Sequence, residues 1–375
     1  MMMEFAARPS STIGASKRQV PKQSRPSSRT LASAVAANFT RKVHVFSSIM
    51  ILALSISVAH ASERLDEQTI EKATFSGKRP ARHGTSPLLV KVEVLLDRAH
   101  FSPGEIDGNP GENVNKALSA YAEAQGLPAD PPLTNEIVSS LSADTRPILT
   151  QYVLTESDLK GPFTEHIPAK MEEMKGMKRV GYRNAKEAIA EKFHLSERLL
   201  GMLNPGLSFN QVGQQIVVPN VVLDESKGLV TKVEVDKDRQ TVKAYGPSGE
   251  LVAFYPATVG SKEKPSPVGT FKIISIDRNP TYRYDPKYQF KGIKTDKPFV
   301  IGPGPNNPVG LVWIGLSTEG YGIHGTPDPS RVSKSESHGC VRLTNWDVLA
   351  LASMVKKGVP VQFTDSSVKT SSETN

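Results

Sequence analysis

The densest run of reactive side chains is Tyr321-Gly322-Ile323-His324-Gly325-Thr326, followed by Ser337-His338-Gly339-Cys340-Val341-Arg342. Cys340 is the single cysteine of the chain, so no intramolecular disulfide can form. A thiolate attacks acyl carbons well, and a neighbouring imidazole lowers the thiol pKa and protonates a leaving amine. Ser337-His338-Gly339 ahead of the cysteine allows a tight turn whose successive N–H groups converge on an oxyanion. Acyl transfer through a thioester is the chemistry these residue types suit. The loop from Pro327 to Glu336 between the two histidines is polar and is expected to present the edges of a cleft to solvent. His338, two residues from Cys340, is a rival to His324 as the base. Zinc is a different use of His324, His338 and Cys340, but no fourth ligand and no C-x-x-C or H-E-x-x-H spacing accompanies them. Trp313 and Tyr321 either line the cleft or pack in the core. Arg342 either binds a substrate carboxylate or is a solvated surface arginine.

Strands must bring His324 and Cys340 together, and 229–363 is patterned for strands. Lys232, Glu234 and Asp236 alternate with apolar neighbours, and Lys237-Asp238 turns the chain into Gln240–Tyr245. Pro247-Ser248-Gly249 separates that strand from Leu251–Val259, and Thr270–Ile274 reads as another. Short strands at this spacing predict a mainly-β domain, a sandwich or barrel. A helix should follow the cysteine. Thr344 and Asp347 form a capping pattern, Val348, Leu349, Leu351, Ala352 and Val355 supply the buried face, and Gly358 stops it.

Pro267-Val268-Gly269-Thr270-Phe271, Ile323-His324-Gly325-Thr326 and Ser337-His338-Gly339-Cys340-Val341-Arg342-Leu343 together resemble the L,D-transpeptidase (YkuD-type) catalytic domain. The resemblance spans roughly 229–363 and leads us to expect a catalytic domain at 228–364. It implies transfer of a peptidoglycan stem-peptide acyl group, with Cys340 as nucleophile and His324 as general base, then general acid. It further implies that the Gly325 carbonyl orients the imidazole and that the N–H groups of Gly339 and Cys340, in the loop with Ser337, line the oxyanion hole. Substrate contacts would come from Arg342, Tyr321 and Trp313. No cofactor and no metal is implied.

Ahead of this domain the pattern is helical. Leu88, Leu89, Val92, Leu95 and Leu96 define one apolar face. Val114, Ala117, Leu118 and Tyr121 define a second, stopped by Gly126, and Ile137, Val138 and Leu141 a third. With the turns at 101–111 and 126–130, residues 87–142 resemble a three-helix peptidoglycan-binding module. At 180–220, a helix over Ala185–Phe193 and a second over Glu197–Leu203 precede a strand at 213–219, and the segment resembles a degenerate LysM glycan-binding module without its opening strand. Residues 62–86 and 143–179 read as a linker and a connector, and 365–375 as a disordered tail. A plain packing or spacer role is the alternative for each front module.

The formal charge of +8 suggests nucleic acid, but its location argues otherwise. Residues 1–42 hold eight basic residues and one acid, residues 43–61 hold no Lys, Arg, Asp or Glu, and so 62–375 carries only +1. Arg41-Lys42, the apolar run Val43–Val58 and Ala59-His60-Ala61 read as a secretory signal ending a basic prelude at 1–61. The expected location is therefore the periplasm or cell wall, with a membrane tether only if the signal is retained. The expected partner is peptidoglycan, both stem peptides and glycan strands, and no nucleic acid. Three readings thus stand together: a 3→3 cross-linking transpeptidase, an L,D-carboxypeptidase or lipoprotein-anchoring enzyme of the same family, and a catalytically inactive wall-binding protein.

Overall fold

The structure is a computed structural model that describes residues 65–81, 83–221, 230–261, 265–288, 294–335 and 339–365. The expected signal, Ser337 and His338, and all of the expected disordered tail at 365–375 except Asp365 lie outside them.

The front of the chain is built around a helix buried all round, not along one face. Helix α1 is Glu67–Glu71 and α2 is Pro87–Arg98. Val90 and Val94 of α2 are as buried as the predicted face, and even Glu93 and Arg98 are enclosed. Buried polar groups need partners, and both find backbone. Glu93 accepts from the N–H of Asp107 (3.0 Å) and Gly108 (2.8 Å). Arg98 donates to the carbonyls of Asn220 (2.7 Å), Arg146 (3.2 Å) and Pro147, and pairs with Asp144. Helix α3 (Glu112–Gln125) ends on Gly126, whose φ of 67° is the left-handed stop glycine favours. Helix α4 is Asn135–Leu141, with Thr134 as N-cap.

The expected connector contributes structure. Its strand β1 (Leu149–Val153) is followed by α5 (Glu156–Lys160), α6 (Ala185–Lys192), α7 (Glu197–Leu203) and β2 (Gln215–Pro219). β1 pairs antiparallel with β2, Leu149 opposite Pro219, so the segment expected as a connector supplies the partner of the strand expected at 213–219. The expected linker also folds: Ile70 of α1 is fully buried and Lys91 Nζ donates to the Glu71 carbonyl at 2.8 Å. A single apolar cluster runs from Ile70 to Val218, so the helices of 87–142 and 180–220 share one core.

The second half is the β-domain. Its strands are β3 (Lys232–Asp236), β4 (Thr241–Tyr245), β5 (Leu251–Pro256), β6 (Thr258–Val259), β7 (Gly269–Arg278), β8 (Tyr282–Tyr284), β9 (Phe299–Ile301), β10 (Val312–Leu316), β11 (Gly322–His324), β12 (Val341–Arg342) and β13 (Pro360–Thr364), with helix α8 at Asn345–Met354. Among the described residues, nine strands form one sheet in the order β5-β4-β3-β13-β7-β10-β11-β12-β6. Only Ala257 separates β5 from β6, yet these strands lie at opposite ends of that order. The sheet must therefore curl almost closed to bring its ends together. The expected cap is present, Thr344 Oγ1 accepting from Asp347 N–H at 3.1 Å.

The front elements dock on the edge of this sheet. Phe254 N–H donates to the His100 carbonyl and Ser102 N–H to the Phe254 carbonyl, both at 2.9 Å, so the 100–102 segment covers edge strand β5. The Phe254 ring is buried in the front core and not in that of its own domain. Phe254→Ala is thus expected to destabilise the whole chain by about 3–5 kcal/mol, the range for deleting a buried phenylalanine ring. Urea unfolding checks this; a change under about 1 kcal/mol would mean the halves do not fold as one unit. The front elements and the β-domain are thus joined by packed side chains and backbone hydrogen bonds.

Candidate active site

Three short strands assemble the site. β10 and β11 pair antiparallel with Trp313 opposite His324, and β11 pairs parallel with β12, His324 beside Arg342. That parallel pairing sets Arg342 beside His324 and puts Cys340, two residues earlier, at the entry to β12, after the intervening loop. The loop itself departs from expectation. Val332 is buried, Ser333 N–H donates to Thr258 Oγ1 (2.9 Å), and Asn113 and Lys116 of α3 reach the Val332 carbonyl and Ser333 Oγ. An apolar anchor and a front-domain clamp fix one wall of the site.

His324 is buried, and its Nδ1 lies 2.7 Å from the Gly325 carbonyl oxygen. A carbonyl only accepts, so Nδ1 carries the proton and Nε2 keeps a free lone pair. Burial first, and then the charge of Arg342, push the imidazole pKa down to about 3 against the Gly325 hydrogen bond. The ring is therefore neutral at neutral pH. Trp313 stacks on it, centroids 5.6 Å apart and planes 18° apart. Gly322 makes room for this, since a Cβ there would run into the indole.

Cys340 is half-buried, and its thiol donates to the Gly320 carbonyl at 3.6 Å. Arg342 is a standing positive charge that acts on it. That guanidinium is shifted down by burial and back up by Cys340 and Tyr282, so it is no freely solvated surface arginine. Here the expectation is corrected: a neutral His324 does not hold a resting imidazolium beside the thiol. Gly339, at φ 99°, occupies left-handed backbone ahead of the cysteine, and its carbonyl accepts from Ser266 Oγ at 2.7 Å. Tyr321 closes the β10–β11 turn through backbone bonds to Leu316 and Thr318.

Arg342 also lines a cleft of about 1110 Å³ between the catalytic strands and the front elements, walled by Thr258 and Thr326 on one side and by Glu105, Glu187 and Glu191 on the other. Burial pushes Glu105 up to about 7 and Glu191 up to about 8.

The L,D-transpeptidase catalytic-domain model matches residues 231–363. The putative L,D-transpeptidase YkuD of Bacillus licheniformis is 33% identical over 180 residues, which cover 48% of this chain and 92% of that protein. The chain belongs to the L,D-transpeptidase family. The putative L,D-transpeptidase YkuD of Bacillus subtilis is 31% identical, covering 46% of this chain and 90% of that protein. The probable L,D-transpeptidase YbiS of Escherichia coli K12 is 30% identical, covering 43% and 51%.

For an L,D-transpeptidase the arrangement has the parts acyl transfer needs: a thiol, a neutral imidazole with a fixed tautomer, and a cation next to the thiol. Tyr282 was not singled out in the sequence, although its phenol pKa is raised by burial and by Cys340. Nothing in Tyr282-Arg283-Tyr284 beyond strand alternation marks it. Asn345 was also passed over, although it follows directly on the Thr344 cap.

Proposed function

We propose that this L,D-transpeptidase is exported and acts on peptidoglycan tetrapeptide stems through a thioester on Cys340. The observation carrying the reading is the His324 tautomer: Nδ1–H is tied to Gly325, which leaves Nε2 as the only ring atom able to take a proton. Nε2 removes the thiol proton as sulfur attacks the carbonyl of the third stem residue. The N–H groups of Gly339 and Cys340 receive the oxyanion. Collapse breaks the C–N bond, and the imidazolium returns its proton to the amine of the departing D-Ala. A side-chain amine of a second stem then attacks the thioester, gives its proton to Nε2 and expels the sulfur, making a 3→3 cross-link.

One peptide bond is spent and one is made, so no nucleotide, metal or redox partner enters the balance. Arg342, charged and beside the thiol, suits a carboxylate of the donor stem. The front elements, by their resemblance to wall-binding modules, hold glycan strands near the cleft. Incubating the purified enzyme with tetrapeptide muropeptides tests this. Free D-Ala and a dimer are expected. Tripeptide without dimer would indicate water as acceptor and a carboxypeptidase; intact tetrapeptide would sink the reading.

A further inference from the structure

The carbonyl that fixes the His324 tautomer is itself held from behind. Asn345, the first residue of α8, is 1% exposed. Its Oδ1 accepts from Leu311 N–H at 3.0 Å and lies against the backbone of Gly325 and Gly310. A Cβ on either glycine would collide with that oxygen. Its Nδ2 donates to the Pro305 carbonyl (3.1 Å) and to both carboxyl oxygens of Glu191 (3.0 and 3.2 Å). Glu191 sits on α6, in the front half of the chain, and accepts a further hydrogen bond from Tyr182 OH at 3.3 Å.

We propose that Asn345 and Glu191 are positioning residues for His324, through which the front half of the chain sets the geometry of the base. An asparagine amide has two orientations of similar shape. Flipping this one would set its NH2 against the Leu311 N–H and its oxygen against the Pro305 carbonyl and the Glu191 acceptors. The fixed amide keeps Oδ1 against Gly325, and a fixed Gly325 peptide aims its carbonyl at Nδ1. Losing Glu191 frees one side of the amide, lets the Gly325 peptide tilt and loosens the tautomer. Because burial pushes the Glu191 carboxyl up to about 8, the group is mainly the neutral acid at pH 7, and glutamine keeps its shape and one carbonyl oxygen to accept from Nδ2. This inference rests on the reading of His324 as the base.

The test compares Glu191→Ala with Glu191→Gln in the full chain, with every rate normalised to the folded fraction measured by near-UV circular dichroism. Glu191→Ala is expected to lower kcat for D-Ala release by roughly tenfold or more with KM little changed, since small displacements of a reacting group carry large rate penalties. It should slow acylation of Cys340 by imipenem to the same extent, and Glu191→Gln should restore most of both rates. The 15N shifts of the His324 ring should show a single Nδ1–H tautomer in the parent and in Glu191→Gln, and a mixture in Glu191→Ala. Parent kinetics per folded molecule in Glu191→Ala, with an unchanged tautomer, would mean a purely structural role and overturn the inference. A raised KM at constant kcat would overturn it too, making Glu191 a substrate contact in the cleft. If the parent itself is not acylated, the thioester reading fails instead, and the tautomer measurement still decides the positioning claim.

Discussion

Cys340→Ser is expected to abolish transfer, lowering kcat/KM by at least about four orders of magnitude, as loss of a nucleophile does in other acyl-transfer enzymes. A serine hydroxyl has nearly the bulk and polarity of the thiol, so the fold should persist. What changes is ionisation. Arg342 sits close enough to act on Cys340 electrostatically, and it can stabilise a thiolate, but no single cation makes an alkoxide accessible near neutral pH. Loss of turnover with an unchanged urea midpoint is the expected pair of results. Retention of more than about 1% of parental D-Ala release would exclude Cys340 as the nucleophile.

His324→Ala is expected to lower kcat by about 10²–10⁴-fold, the usual contribution of a positioned general acid–base. The pH dependence is more diagnostic than the size. A base with an ordinary histidine pKa would lose activity as pH falls through about 6.5. Burial and Arg342 hold His324 at about 3, so its lone pair stays free throughout the range above pH 5. Acylation of the parent by imipenem should show no acid limb near pH 6.5. A limb there would mean that a histidine with an ordinary pKa is the base. His338→Ala should leave both rate and profile near those of the parent.

Much of the catalytic half was legible because its signals are local. Alternation over Lys232–Asp236 and Thr241–Tyr245 is a period-two pattern with turn residues between, and both became strands. The Thr344–Asp347 cap lies within four residues, and His324, Gly325, Gly339 and Cys340 fall in two short motifs. What stayed hidden depends on long-range partners. Glu191 lies on a helix that reads as having one apolar face, yet it is 8% exposed because Asn345, 154 positions away, receives it. Arg98 is enclosed for the same kind of reason, its carbonyl partners lying at Arg146, Pro147 and Asn220. Strand β1 was read as connector because its partner β2 lies beyond three helices. In the 327–335 loop, Val332 was overlooked among polar neighbours, although that one side chain anchors the loop. His324 shows the subtler difference: its candidacy came from the motif, but its neutrality comes from burial and from Arg342, which the fold brings beside it.

The account is tested most directly by the mass of the enzyme itself during turnover. Mixing the full chain with a tetrapeptide donor lacking any free side-chain amine, quenching in acid within the first turnover and recording the intact mass should reveal one tripeptide acyl adduct per chain. Peptide mapping should place it on Cys340, hydroxylamine should remove it as it does a thioester, and Cys340→Ser should lack it. D-Ala release with no adduct, or with an adduct on any other residue, would contradict transfer through a thioester at Cys340.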